Sequence, residues 1–264
     1  MHVLILSLDT SSLAGSVAIL RDETTLGVIS TRAEENYSSR IFRHLEFLLT
    51  DLTLKLADFD LFAVSAGPGS FTGLRVGLTA VKGWAEVYGK PVVGVSTLEA
   101  VAFQARDGRA VLVPALDARR GQMYFGVYRT TAAGLALEGE EYVATAEEFA
   151  QQLGALAHNR GADGKQGGDS SRRSAGNSDA GNGGGAFTVV TPDASVVALA
   201  LRLTPQFSTE FAGLDIVSSV LAPSIGRIAH TRALRGDVSD ALTLDANYVR
   251  RTDAEMRWKD GQPF

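Results

Sequence analysis

The chain opens on short apolar runs divided by polar turns. Val3–Leu8 is aliphatic and β-branched, Asp9–Gly15 is a polar turn, and Ser16–Leu20 and Thr24–Ser30 flank the break Arg21-Asp22-Glu23. Runs of this length bounded by turn residues predict three strands in an antiparallel meander. A dinucleotide-binding domain passes from its first strand straight into a helix, and this pattern does not. Asn36–Leu56 then shifts to a helical period through Tyr37, Ile41, Leu45, Leu48, Leu52 and Leu56. Phe42, Phe47 and Leu49 fall off that stripe, so the predicted helix is apolar on more than one side.

Leu61–Ala66 predicts a strand, and Ser70 is placed to cap a helix running to about Tyr88. Val92–Val95 is the next strand, followed by a helix to Arg106 capped by Ser96 or Thr97, with Glu99 spaced for a capping box. The pattern then starts again: VLVPALDARRGQMYFGVY repeats HVLILSLDTSSLAGSVAIL as strand, Leu-Asp, glycine-containing turn and strand. Such a repeat predicts a duplicated lobe, with a first lobe over 1–107 and a smaller, degenerate second lobe over 108–264. Gly161–Gly185 contains no Val, Ile, Leu or aromatic residue and is expected to be a flexible surface insertion. Beyond it, Phe187–Val190 predicts a strand, Pro192 the first turn of a helix to about Leu203, and Ile216–Leu234 a helix interrupted at Pro223. The tail from Leu244, with Tyr248, Met256 and Trp258, is expected to fold back over a lobe.

Composition narrows what these elements are for. With 45% hydrophobic and 21% charged residues, 264 residues bury a sizeable core. A net charge of −5 argues against a broad basic surface that would hold nucleic acid unaided. The absence of cysteine excludes disulfides, thiolate metal sites and cysteine nucleophiles. His2, His44, His158 and His230 include no pair at helical spacing, so no metal site is expected. The N-terminal apolar run is too short for a signal or a membrane span, which makes a cytoplasmic protein the expectation.

Candidate chemistry gathers at two turns. Gly67-Pro68-Gly69-Ser70-Phe71-Thr72-Gly73 lies between a strand and a helix, where backbone N–H groups and the helix end suit an anion. It matches neither a P-loop nor a dinucleotide fingerprint, and the plainer reading is a tight turn with positive φ at glycine. Asp9-Thr10-Ser11-Ser12 pairs an acid with hydroxyls, as actin-like kinases do around magnesium and phosphate. Asp9, Thr10, Gly67, Gly69 and Ser70 are therefore the candidate cofactor-binding residues. The repeat's Asp117 is followed by Ala118-Arg119-Arg120, suited to an anion or to surface pairing with the acidic Glu138–Glu141 stretch. No nucleophile–base–acid arrangement appears, and no catalytic residue is assigned.

The helix after Ser70 carries a second signal. Phe71, Leu74, Leu78, Val81, Ala85 and Tyr88 form one apolar stripe, while Gly73, Gly77 and Ala80 form a small-residue stripe leading to Trp84. An interior glycine costs about 1 kcal/mol relative to alanine, so another backbone is expected to approach closely, from within the fold or from a partner.

SAGPGSFTGLRVG, GVSTLEAVA, LSLDTSS and LDARRGQMY, with a weaker ANYVRR near the end, together resemble the bacterial TsaB (YeaZ) family over about residues 1–130. The resemblance implies an α/β, two-lobed actin-like (ribonuclease H-like) duplicated fold with mixed sheets flanked by helices. It implies an accessory scaffold and dimerisation subunit, without an active site of its own, for threonylcarbamoyl transfer to N6 of the adenosine beside the anticodon in ANN-decoding tRNAs. The implied partners are a TsaD-type catalytic subunit and a TsaE-type ATPase, with tRNA met only through the complex and a homodimer formed by the isolated chain. No cofactor is implied for the chain itself, ATP or ADP belonging to the complex, and the glycoprotease-like label of the superfamily carries no protease activity here. The implied partner surface is built from helices at about 36–54 and 70–88. On them, Ile41, Leu45, Leu48, Leu52, Gly73, Leu74, Gly77, Ala80, Val81 and Trp84 are the expected interface.

Overall fold

The structure, a computed structural model, describes residues 2–32, 37–163, 187–193 and 213–249. The chain divides into two compact units, Met1–Gln104 with Val217–Phe264, and Ala105–Ile216. The expected second lobe of 108–264 is therefore shorter at its C-terminal end. Residues after Ile216 return to the first unit because their helix packs on its central strands.

In the first unit the meander forms as the period-2 pattern predicts. Strands β1 (Leu4–Asp9), β2 (Ser16–Arg21) and β3 (Thr24–Ser30) pair antiparallel in order. β4 (Leu61–Gly67) joins β1 in parallel and β5 (Val92–Ser96) joins β4, giving the order β3-β2-β1-β4-β5. Helix α1 (Tyr37–Asp51) stops before the expected Leu56, where Thr53 turns to φ 53° and Leu56–Asp58 forms a separate 3-10 turn. Helix α2 (Phe71–Tyr88) begins at Ser70, whose hydroxyl accepts from Gly73 N (3.3 Å), and ends on Gly89 at φ 60°. Ser96 caps α3 (Thr97–Ala102), accepting from the N–H groups of Leu98 and Glu99. This helix is shorter than expected and passes into a 3-10 turn at Phe103–Ala105. The Glu99 side chain reaches α-helical Arg232 instead, its Oε2 accepting at 2.6 Å.

The second unit repeats this topology. β6 (Val111–Arg119), β7 (Gln122–Phe125), β10 (Tyr142–Thr145), β11 (Thr188–Thr191) and β12 (Gly213–Ile216) lie in the order β10-β7-β6-β11-β12. As in the first sheet, three antiparallel strands precede two parallel ones. The hairpin β8 (Tyr128–Thr131) and β9 (Gly134–Leu137) is added between β7 and β10. Helix α4 (Ala146–Asp163) was not expected from the pattern, and it runs into the first residues of the predicted insertion. Ala146, Phe149, Ala150, Leu153 and Ala157 are buried, packed with Val113, Phe125, Phe187 and Val189. The helix expected after Pro192, the insertion beyond 163 and the tail beyond 249 lie outside the described residues.

Helix α5 (Ala222–Ala233) corrects the expectation at the C-terminal end. Ile216 closes a strand, and Pro223 stands in the first helical turn, where its missing N–H costs nothing. α5 packs on β1 and β2, with Ser7 Oγ donating to Ala222 O (2.7 Å) and Arg232 bound to Gly94 O and Glu99. The first unit's core gathers Leu6, Leu8, Ile19, Phe62, Val64 and Leu74 from these layers. Each such side chain, fully buried, contributes about 1.5–3 kcal/mol.

Candidate functional site

Strand β1 ends by delivering Asp9 into the interior. Asp9 is fully buried, its Oδ1 accepting from Ser11 N (2.9 Å) and Ser11 Oγ (2.7 Å). Oδ2 has no partner at hydrogen-bond geometry, and neither does the buried Thr10 Oγ1. Burial pushes the Asp9 carboxyl above the ordinary carboxylate range, against the Ser11 hydrogen bonds and the nearby Ser65 hydroxyl that favour its charged form. A small opening beside the turn is lined by Asp9, Thr10, Ser16, Arg40 and His44, among others. Burial, then Arg40 and Arg43, hold the His44 imidazole below its ordinary pKa.

The glycine loop meets this turn face to face. Gly67 adopts φ 112°, as the turn reading requires, and the Gly67–Pro68 peptide is cis. Ser70 N donates to Ser11 O (2.7 Å), Gly73 N to the Ser70 hydroxyl, and Leu74 N to Ser70 O. A Cβ on Gly69 would come within 2.5 Å of Ser11 O, and one on Gly73 would collide with Thr10 O. On the other side, Asn247 N donates to Ala66 O (2.7 Å), and a Cβ on Gly67 would meet Asn247 O at 2.6 Å. Tyr248 stacks on Phe71 with ring centroids 5.3 Å apart, and the Arg75 guanidinium lies over the same Phe71 ring.

These contacts decide between the two readings of the loop. The N–H groups of Ser70 and Gly73 already have partners, and the glycines make room for Thr10, Ser11 and Asn247 of the same chain. Asp9, Thr10, Gly67, Gly69 and Ser70 do come together, in a closed joint where backbone of Thr10, Ser11 and Asn247 stands against the glycines. The expected folding back of the tail is seen here, with Leu244 in the first unit's core and Asn247 and Tyr248 against the loop; that the tail would meet this loop was not among the expectations.

The small-residue stripe is corrected in the same way. Gly73 and Gly77 are buried against Thr10, and Gly77 also approaches Val64. Ile41, Leu45, Leu48, Leu74 and Val81 are buried in the first unit's core, with Leu52 and Trp84 packed partly against it. Side chains already enclosed in the monomer do not form an interface, and Ala80 is only half-buried. Among the described residues, the large apolar side chains left exposed on α1 and α2 are Phe42 (49%), Phe47 (61%) and Val87 (75%). Phe42 meets Trp84 edge to face at 6.2 Å. The signal for these residues was the off-stripe aromatics of α1.

In the second unit the equivalent acid is exposed. Asp117 Oδ1 accepts from Arg119 N (2.7 Å), the same bond Asp9 makes to Ser11. Glu138 is paired with Arg129, and the Tyr128 hydroxyl donates to Glu141. His2 and His230 both lie against Asp22, at 2.5 and 3.5 Å. Among the described residues no group of three or more metal-capable side chains is found.

The family model described as TsaD: tRNA N6-adenosine threonylcarbamoyltransferase matches residues 15–176. The chain is 37% identical over 125 residues to the tRNA threonylcarbamoyladenosine biosynthesis protein TsaB of Bacillus subtilis (strain 168), covering 47% of this chain and 55% of that protein. It is 35% identical over 139 residues to the protein of the same name from Escherichia coli (strain K12), covering 52% and 59%. The matched stretch thus spans somewhat over half the length of these curated relatives. Among solved structures, YeaZ from Pseudomonas aeruginosa aligns over 93% of this chain and 99% of its own, with 26% identity and a TM-score of 0.68. With more than half its length matched by that family model, the chain belongs to the TsaD: tRNA N6-adenosine threonylcarbamoyltransferase family, and it is similar in sequence to the TsaB proteins and in fold to YeaZ.

Proposed function

We propose that this chain is an accessory, non-catalytic subunit of the assembly that places threonylcarbamoyl on N6 of the adenosine beside the anticodon of ANN-decoding tRNAs. The observation that carries this reading is the closed joint: Asp9 and the glycine loop, where an actin-like enzyme would hold its nucleotide, are filled by Thr10, Ser11 and Asn247. The curated relatives named for threonylcarbamoyladenosine biosynthesis and the TsaD family match support the pathway. In this reading a TsaD-type subunit supplies catalysis and a TsaE-type ATPase joins it. Nucleotide and tRNA are handled at the level of the complex, in the cytoplasm, and the isolated chain self-associates. No described helix is long and apolar enough to cross a membrane.

The docking surface in this reading is the exposed part of α1 and α2, Phe42, Phe47 and Val87. Aromatic anchors of this kind typically carry 2 kcal/mol or more of an interface. Phe47→Asp is expected to weaken co-purification of the TsaD-type subunit at least tenfold, with little change in the monomer's melting temperature. Deleting the gene is expected to remove threonylcarbamoyladenosine from tRNA. Unchanged modification, with no association to a TsaD-type protein, sinks the reading. ATP turnover by the purified chain that is lost in Asp9→Asn favours a kinase instead.

A further inference from the structure

The tip of the β6–β7 hairpin breaks the local rules of its own turn. Asp117 pairs with Met123 and Arg119 with Gln122, with a register irregularity between Asp117 and Arg119. Arg120 and Gly121 form the two-residue loop, at φ 55° and 73°, and Arg119 before them stands at φ 62°. A two-residue hairpin with positive φ at both central positions favours Asn, Asp or Gly in the first of them, because a Cβ crowds the carbonyl there. Here arginine fills that position and the one before it. Elsewhere among the described non-glycine residues, positive φ occurs singly, at Asp22 and Thr53.

Local propensity that contradicts the backbone is expected where function retains the residue. Both arginines are exposed, and the planar guanidinium fork matches phosphate oxygens in pairs. The chain's net charge of −5 argues against a broad basic surface of its own, so two cations at a hairpin tip suit a local contact beside a basic surface supplied by another subunit. We propose that Arg119 and Arg120 are held in this left-handed turn to contact the phosphate backbone of RNA. The inference rests on the tRNA-modifying assembly proposed above, which names the RNA as tRNA.

The test uses the assembly reconstituted with its TsaD-type and TsaE-type subunits and an unmodified transcript of an ANN-decoding tRNA. Affinity is read by fluorescence anisotropy between 50 and 200 mM KCl. The double variant Arg119→Gln/Arg120→Gln keeps the strain and removes the charge. It is expected to keep its melting temperature, bind the transcript roughly tenfold more weakly at 50 mM salt, and lower the salt slope by about 1.5, the value for two lost phosphate contacts. Arg120→Asn gives the turn its preferred residue; it is expected to melt roughly 2–4 °C higher while binding RNA more weakly.

Unchanged affinity and slope in the double variant, with a wild-type assembly that binds and modifies tRNA, overturn the contact and leave the functional reading standing. Loss of the TsaD-type subunit by the double variant assigns the tip to a protein interface and also overturns it. A lower melting temperature in Arg120→Asn shows the arginine to be structural, with the same consequence. A wild-type assembly that neither binds nor modifies tRNA ends both.

Discussion

Asp9 and Asp117 stand at the ends of equivalent strands, and each accepts a hydrogen bond from the backbone N–H two residues on. From that shared start the two turns diverge. The first is roofed by the glycine loop and the start of α2, so Asp9, Thr10 and Ser11 are buried. The second holds the exposed Arg119 and Arg120 at a hairpin tip, and the Cβ position of Gly121 is open. Duplication preserved strand order, pairing sense and the acid's local hydrogen bond. It did not preserve what covers the turn, and covering decides whether the same acid serves packing or display.

The largest effect expected from this contrast comes from adding bulk at the two glycines. Gly73→Val would force its side chain into the Thr10 carbonyl, with helix and strand both fixed. It is expected to destabilise the first unit by about 3 kcal/mol or more, the upper range for overpacking. Gly121→Ala has room and meets only the cost of a left-handed backbone, about 1 kcal/mol. Urea unfolding of both variants measures the difference. Equal midpoints would mean that the first turn yields as readily as the second, and the closed-joint account would fail.

Much of this was legible in the sequence, and the limits have physical causes. The strand meander, the Ser70 and Ser96 caps and the repeat follow from period and local chemistry, which act over a few residues. The duplicated Leu-Asp turns marked the right pair of positions. What the sequence could not assign was which neighbour fills the groove beside Gly73 and Gly77, because a small-residue stripe accepts any close backbone. Thr10, more than sixty residues away in sequence, filled it. The same ambiguity placed Ile41, Leu45 and Leu48 at an interface, although a stripe this regular belongs to the core. The exposed Phe42 and Phe47 were visible as departures from that period. The return of α5 to the first sheet rests on contacts between distant segments, such as Arg232 with Gly94 and Glu99. No local pattern encodes such contacts.

A smaller effect separates the two acids by pH. Burial raises the Asp9 pKa above its ordinary 3.8, so the folded chain binds that proton more tightly than the unfolded chain does. Stability from this group is therefore fully present below the ordinary value. It falls as pH rises through the raised one, and above that the buried charge is a standing cost. Asp9→Asn keeps an oxygen for Ser11 and replaces the unpartnered Oδ2 with a neutral group. The variant is expected to be more stable than the parent at pH 7, with the advantage shrinking as the parent is protonated in acid. Asp117→Asn retains its turn bond on an exposed loop and is expected to change stability by less than about 0.5 kcal/mol at either pH. Urea midpoints at pH 7 and pH 5 for parent and both variants test the contrast. An Asp9→Asn protein less stable than its parent at pH 7 would mean that the carboxylate is charged and held by an attractive partner. The first turn would then be a binding site rather than a joint.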